Sequence, residues 1–231
     1  MQYNLIASET SNHKLGSDRK KGIIIATNYR PVGDAARGLG SCPTGCGMLN
    51  PETGKAEDCY TKKFLVNQQV KKSWARNDDL SKFLEKGANY VRLHTSGDFF
   101  KQLDNTYVLD KEYLDSVIDF ARQNPKVLFW TYTHDVIKLI EAGYSYNNNS
   151  FPDNLHITAS CDSNDVMDYA IQHGYRTARV IKGYDQKLSN ETLCPFDKAK
   201  HDGVKPNTNC VKCTLCFNNK HKKNIAFLLQ K

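Results

Sequence analysis

Residues 126–143 read KVLFWTYTHDVIKLIEAG. The first half, KVLFWTYTH, is a short apolar run rich in aromatic and β-branched residues, the composition of a buried strand. The second half, DVIKLIEAG, has the spacing of a short helix, and Gly143 stops it. One strand followed at once by one helix is half of a parallel crossover unit, so the fold turns on whether this pattern repeats.

It repeats in both directions. Upstream, NYVRLHTSGDFF (89–100) is a strand running into a Gly-Asp turn. The following DKEYLDSVIDFARQNP carries apolar residues at 113, 114, 117, 118 and 121, a helical period between Asp110 as cap and Pro125 beyond the end. Before these come the strand GIIIATNY (22–29), a helical period with apolar residues at 66, 70 and 74, and the helix DDLSKFLEKG with Asp78 as cap and Gly87 as stop. Downstream, NLHITASCD is a strand, SNDVMDYAIQHG a helix between Ser163 and Gly174, and TARVIKGY a fifth strand. The polar stretch YSYNNNSFPDN between two units is expected to be an exposed loop.

Tandem strand–helix units imply right-handed crossovers and a parallel sheet. Five such strands are too few for a closed eight-fold barrel, so the expected fold is α/β, a partial (β/α) barrel with parallel strands. Residues 1–190 would form it, and residues 191–231 a cysteine-rich segment with a basic tail. Ligands of such sheets sit beyond the carboxyl ends of the strands. That places the loop after strand one and the Ser96-Gly97-Asp98 turn after strand two at one rim.

No apolar run approaches the roughly twenty residues of a membrane span, and the N-terminus lacks the pattern of a secretory signal. A cytoplasmic location without membrane association is therefore expected. There the eight cysteines suit metal or redox chemistry better than disulfides. The net charge is +7, and Lys198–Lys231 contributes eight lysines against one acid, Asp202. Such a tail suits a polyanionic partner, a nucleic acid or nucleotide, although a solvated lysine-rich surface is the commoner arrangement.

The cysteines fall into two sets. Cys42, Cys46 and Cys59 are spaced C-x3-C-x12-C in a polar, turn-rich loop. Three thiolates suit a [4Fe-4S] cluster with one iron left open to a ligand, by the logic of an incomplete metal shell. Cys161, inside an apolar strand, reads as core, with completion of that site as the variant. Cys194, followed by Pro195, and then Cys210, Cys213 and Cys216 in C-x2-C-x2-C spacing form the second set. That pattern favours a second iron–sulfur cluster over zinc.

A three-cysteine loop ending in Cys-Tyr after strand one, and a Gly-plus-acid turn after strand two, resemble the radical S-adenosylmethionine superfamily. More closely, YRPVGD…SCPTGC…CY, VRLHTSGDFF and the terminal CP…CVKCTLC are similar to a phage and prophage family, gene product 88, over roughly residues 20–220. The superfamily resemblance implies that Cys42, Cys46 and Cys59 hold the catalytic cluster, whose open iron takes S-adenosylmethionine. Ser96, Gly97 and Asp98 would hold the methionine amino group, Thr158 and Ser160 the ribose or carboxylate, and RVIKGYD the adenine. It further implies an electron donor, reductive cleavage to a 5′-deoxyadenosyl radical, and hydrogen abstraction from a substrate that the sequence leaves unnamed. The usual motifs are C-x3-C-x2-C and Gly-Gly-Glu; here twelve residues separate the second and third cysteines, and the turn is Ser-Gly-Asp.

His94 and His134 end strands two and three at the same rim. With Asp98 as the acid, His94 is the candidate for catalysis, a hydrogen-bonded structural histidine being the plainer alternative. Phe129, Trp130 and Tyr132 read as core. The rival functional reading is a non-enzymatic zinc or iron–sulfur module that binds nucleic acid or protein.

Overall fold

The computed structural model describes residues 5, 7–9, 12, 14–44, 46, 49–55, 68, 72, 79–218, 221 and 223–229. In chain order the strands are β1 (Ala7–Glu9), β2 (Ile25–Tyr29), β3 (Tyr90–Ser96), β4 (Phe100–Leu103), β5 (Thr106–Leu109), β6 (Leu128–Thr133), β7 (Leu155–Ser160), β8 (Arg176–Ile181), β9 (Glu191–Leu193) and β10 (Asn224–Leu228). Eight of them form one sheet in the order β1-β2-β3-β6-β7-β8-β10-β9. Every pairing from β2 to β9 is parallel, and only β1 runs antiparallel, against β2.

The five strands expected from the sequence are thus present, adjacent, and in chain order. The architecture is α/β with a mostly parallel central sheet, and β1 and β9 stand at its two ends. The helices are α1 (Leu80–Glu85), α2 (Lys111–Gln123), α3 (Val136–Glu141), α4 (Asn164–Gln172), α5 (Pro195–His201) and α6 (Cys210–Cys213). The helix expected around residues 66–74 falls largely outside the described residues. So does its neighbour Asp78; Asp79 caps α1 instead, accepting from Lys82 N at 3.2 Å.

A strand presents alternate residues to opposite faces, and here the two faces have different partners. Ala26, Val91, Phe129, Leu155, Ile157 and Ala159 meet Leu80, Leu114, Val117, Leu139 and Met167 of the first four helices in the main core. These four crossover helices lie on one side of the sheet, as right-handed connections between successive neighbouring strands require. On the opposite face, Ile25 and Trp130 pack with Leu15 and Phe217, and Ala178 and Ile225 pack with Leu215. The C-terminal segment therefore supplies the second layer.

Residues 191–231 consequently share the sheet of residues 1–190. β10 inserts beside β8, and β9 pairs with β10 at the edge. These short strands, β1 and the β4–β5 hairpin were not expected. The hairpin turns at Asp104 and Asn105, both at positive φ (45° and 61°), the conformation of a two-residue hairpin turn.

The stretch 144–154 is only partly the exposed loop expected. Tyr144, Ser145 and Phe151 are buried, and the Tyr146 hydroxyl accepts from Ile157 N at 2.7 Å. Its aromatic side chains bury enough apolar surface to outweigh the polar residues between them.

Asp110 occupies the N-cap position of α2 without a side-chain cap bond. Its carboxylate lies instead between Arg30 (2.8 Å) and Lys101 (3.2 Å). A buried carboxylate gains more from two cations than from one amide.

Candidate functional site

The loop after β2 folds around Asp34. One carboxylate oxygen accepts from Ala36 N at 2.9 Å and from the Thr44 hydroxyl at 2.8 Å. Cys42 N donates to Gly33 O at 3.0 Å, and Ala35 N to Cys42 O at 2.9 Å. These bonds hold Cys42 and Cys46 buried beside Val32 and Leu49. Cys59, the third member of the set, lies outside the described residues.

The turn after β3 stacks directly on this loop. Asp98 N donates to Ser41 Oγ at 3.0 Å, Phe100 N to Ser41 O at 3.3 Å, and Arg30 Nη1 to Asp98 O at 3.1 Å. Gly97 permits the approach. Its φ is +77°, and a Cβ there would stand 2.5 Å from Ser41 Oγ and 2.8 Å from Arg30 O. The Asp98 carboxylate, on a residue only 1% exposed, accepts from Phe99 N and His134 N, each at 2.8 Å. His134 Nδ1 is 3.7 Å from it. Asp98 thereby ties the ends of β2, β3 and β6 into one rim, as the sequence placed them, but its oxygens are engaged within the protein.

His134 is a polar side chain that this rim presents outward, with about a third of its surface exposed. Burial pulls its pKa down, but the Asp98 carboxylate and the charge of Asp162 outweigh that and raise it above the usual value. Sequence reasoning weighed His134 without placing it among the site residues.

His94 is carried away from the rim. Thr27 pairs with Arg92 and Tyr29 with Ser96, so Asn28 alone stands opposite Leu93, His94 and Thr95. This bulge puts His94 at φ 47° and turns it into the helix-side core. Its Nδ1 meets the Thr131 hydroxyl and its Nε2 the Tyr113 hydroxyl, both at 2.9 Å. Burial, with Arg30 and Arg92 nearby, lowers its pKa well below the ordinary range. His94 is a neutral core residue with both nitrogens satisfied. Strict alternation would have set it beside Arg92 and Ser96, and the bulge is what breaks the alternation.

Ser96 is buried, its hydroxyl donating to Arg30 O at 3.1 Å. Thr158 is also buried, in register with Tyr132 on one side and Arg176 on the other, while Ser160 is half-buried at the end of β7. The Thr158 row belongs with the second cysteine set rather than with the first.

That second set lies against the face opposite the helices. Cys194 follows β9, and its N–H donates to Ala226 O of β10 at 2.9 Å. Cys210 N donates to Lys14 O at 2.8 Å. Cys210 and Cys216 pack near Trp130 and Phe217, and Cys213 and Cys216 near Ala178 and Leu215. The four thiols are near enough to repel one another's ionised forms. Burial, with that repulsion, pushes Cys194 and Cys210 up to about 12. Tyr132, Arg92 and Arg176 act the other way on Cys216, and Lys14 on Cys194 and Cys210.

Sequence reasoning missed Lys14, Arg92 and Arg176. The available signal was the arginines carried by two strands, Arg92 within β3 and Arg176 at the start of β8; Lys14, outside the strands, gave none. Among the described residues no three His, Cys, Asp or Glu side chains converge closely enough to enclose a metal ion. Cys161 is buried in the main core, and burial raises its thiol to about 12. Phe129 is in that core too, whereas Trp130 and Tyr132 face the cysteines. Of the basic run at 218–224, His221 and Lys223 are exposed, and residues 219, 220 and 222 lie outside the described residues. No helix among the described residues is long and apolar enough to cross a membrane.

The family model for Gene product 88 matches residues 6–226, nearly the whole chain. The chain belongs to the Gene product 88 family. No curated protein matches it, and no solved structure does. In this Gene product 88 member both cysteine sets lie inside the matched span, as do β1 through β9 and the first three residues of β10.

Proposed function

We propose that the protein is an iron–sulfur enzyme of the radical S-adenosylmethionine type. Cys42, Cys46 and Cys59 would hold a [4Fe-4S] cluster with an open iron, and Cys194, Cys210, Cys213 and Cys216 a second. The observation that carries the reading is the rim, where a cysteine loop is bonded through Ser41 to the Gly97-Asp98 turn beyond adjacent parallel strands. Ligands of such sheets enter there.

The donor sets match the group in number and type, while among the described residues no three of the thiols converge on a single metal ion. Three thiols on a loop leave a coordination position open, and four thiols fill a cluster. The second set also lies beside a buried Arg176 Nε–H that has no acceptor among the described residues, and the sulfurs of a cluster would supply acceptors. When bound, the first cluster with S-adenosylmethionine would supply one-electron cleavage to a 5′-deoxyadenosyl radical, drawing on a separate electron donor.

The chain's own residues have positioning tasks. Gly97 lets the β3 turn lie against the cysteine loop, Asp98 fixes that turn to β6, and His134 presents its imidazole ring at the rim. Asp98 is therefore assigned to hold the rim rather than to bind the methionine ammonium directly. The same engagement of Asp98 favours the second reading, in which both cysteine sets are structural parts of a binding module.

Anaerobic isolation followed by iron, sulfide and zinc analysis separates the two. A brown protein with about eight irons per chain, as two four-iron clusters require, is the expected result, with a reduced spectrum that S-adenosylmethionine alters. A colourless zinc protein, or clusters indifferent to millimolar S-adenosylmethionine, would reject the enzymatic reading.

A further inference from the structure

Tyr184 is a large aromatic side chain left 44% exposed, and its ring is held in place. It opens a 3-10 turn, Tyr184–Gln186, just after β8. Its hydroxyl donates to one carboxylate oxygen of Asp202, whose other oxygen accepts from Lys198 Nζ at 2.6 Å. The Lys198 ammonium lies 5.6 Å from the ring centre, and the His201 ring meets it edge-on at 5.5 Å. A ring fixed in this way loses little freedom when another planar group stacks on it.

The charge around this ring is one-sided. Three of the four acids between residues 179 and 205 already have cations: Glu191 pairs with Arg179, Asp197 with Lys14 and Asp202 with Lys198. Lys182, Lys200 and Lys205 are exposed, and among the described residues no carboxylate forms an ion pair with them. Asp185 is the remaining acid of the stretch. Val204, two residues beyond Asp202, adds apolar surface at 57% exposure. Both segments lie beyond the carboxyl ends of parallel strands, the Tyr184 turn after β8 and α5 after β9. The Asp98 rim stands at the same end of the sheet, beyond β3 and β6. β6 and β8 are two strand spacings apart, about 10 Å, so an extended ligand on Tyr184 can reach that rim.

We propose that Tyr184, with Lys182, Lys200 and Lys205 around it, forms a binding surface for single-stranded nucleic acid. The lysines meet phosphates, and an unstacked base lies on the Tyr184 ring. A duplex keeps its base faces stacked inside and has none to offer the ring. An acidic protein would engage the lysines and leave the ring without a partner. The surface goes beyond the iron–sulfur reading and does not depend on it.

Fluorescence anisotropy of a labelled oligothymidylate about fifteen residues long measures binding to the full chain, isolated anaerobically. Wild type should bind it more tightly than the same strand paired with oligoadenylate. Tyr184→Ala should weaken binding about tenfold, the loss of one stacked base, and Tyr184→Phe, which keeps the ring, should retain most of the affinity. Lys200→Gln combined with Lys205→Gln should reduce the slope of log affinity against log salt by about 1.4, the share of two phosphate contacts on a single strand. Lys126→Gln, exposed at the opposite end of the sheet, should change neither quantity. Circular dichroism melting checks that each variant is folded; should Tyr184→Ala not fold, Tyr184→Leu, which keeps apolar bulk without an aromatic face, takes its place. No binding by wild type would overturn the proposal, as would equal affinity for the duplex or unchanged binding in the tyrosine and lysine variants. Displacement by polyglutamate as readily as by polyuridylate would also overturn it, in favour of an acidic protein partner. None of these readings depends on iron content, so failure here leaves the iron–sulfur reading standing, and the reverse holds too.

Discussion

His94 and His134 carry the same ring and meet opposite electrostatics. His94 is sealed among Thr131, Tyr113 and Phe99, where protonation would bury a charge beside Arg30 and Arg92. Its folded pKa lies below the unfolded value, so its contribution is intact above about pH 6.5 and is lost as acid forces the proton on. His134 has a raised folded pKa through Asp98 and Asp162. Its contribution is therefore full below about pH 6.5 and disappears as pH rises through the folded value. Ring-proton resonances followed from pH 5 to 8 should show His94 neutral throughout and His134 titrating above the ordinary midpoint. A His94 signal that titrates normally would mean the core is open to solvent. At Gly97 the constraint is steric: alanine would need φ +77° and a Cβ within 2.5 Å of Ser41 Oγ. Gly97→Ala should cost about 1–3 kcal/mol, read from urea unfolding.

Among the elements, capping and ion pairing compete for the same residue type. Ser163 caps α4 by accepting from Val166 N at 3.4 Å, and its loss should cost about 1 kcal/mol. Asp110 sits at the start of α2 but serves Arg30 and Lys101. Asp110→Asn leaves Arg30 without its carboxylate in a largely buried place, so its cost should be about 3–5 kcal/mol. Parallel urea titrations of Ser163→Ala and Asp110→Asn give the comparison. Equal losses would mean that Asp110 is an ordinary cap. The β3 bulge is the other decision at this scale, because it redirects His94 from the rim to the core and leaves Arg92 on the cysteine face.

For the molecule as a whole, the sheet needs its C-terminal segment. Without residues 191–231, Ile25, Trp130 and Ala178 would lose the Phe217 and Leu215 layer, and β8 would lose its neighbour β10. A chain ending at residue 190 is expected to be insoluble or to lack a cooperative transition by circular dichroism. A stable, soluble fragment would show that the segment is an appendage. Packing and metal should share the task of holding it. Phe217, in contact with Trp130 at a ring separation of 4.7 Å, should cost about 3–5 kcal/mol on truncation to alanine. Cys213→Ala should make residues from about 194 onward more sensitive to protease while the helix face stays intact. Limited proteolysis with mass spectrometry reads both variants.

The five parallel strands, their order and most helix boundaries were legible in the sequence. Alternation and helical period are local, and Gly87, Gly143 and Gly174 mark helix ends through their own backbone freedom. The nearness of Cys194, Cys210, Cys213 and Cys216 was legible too, because thiol spacing is a property of the chain; Cys59 of the other set lies outside the described residues. Three things belonged to the tertiary structure alone. A bulge shifts register by the partner strand's pairing, so only the assembled β2–β3 ladder could move His94 inward. Strands of three to five residues such as β1, β9 and β10 have too little pattern to announce themselves and form because a neighbouring edge accepts them. And the cationic surroundings of the second cysteine set join Lys14, Arg92, Arg176 and Cys216, residues far apart in the chain that share a place only because the sheet has two faces and the C-terminal segment covers one of them.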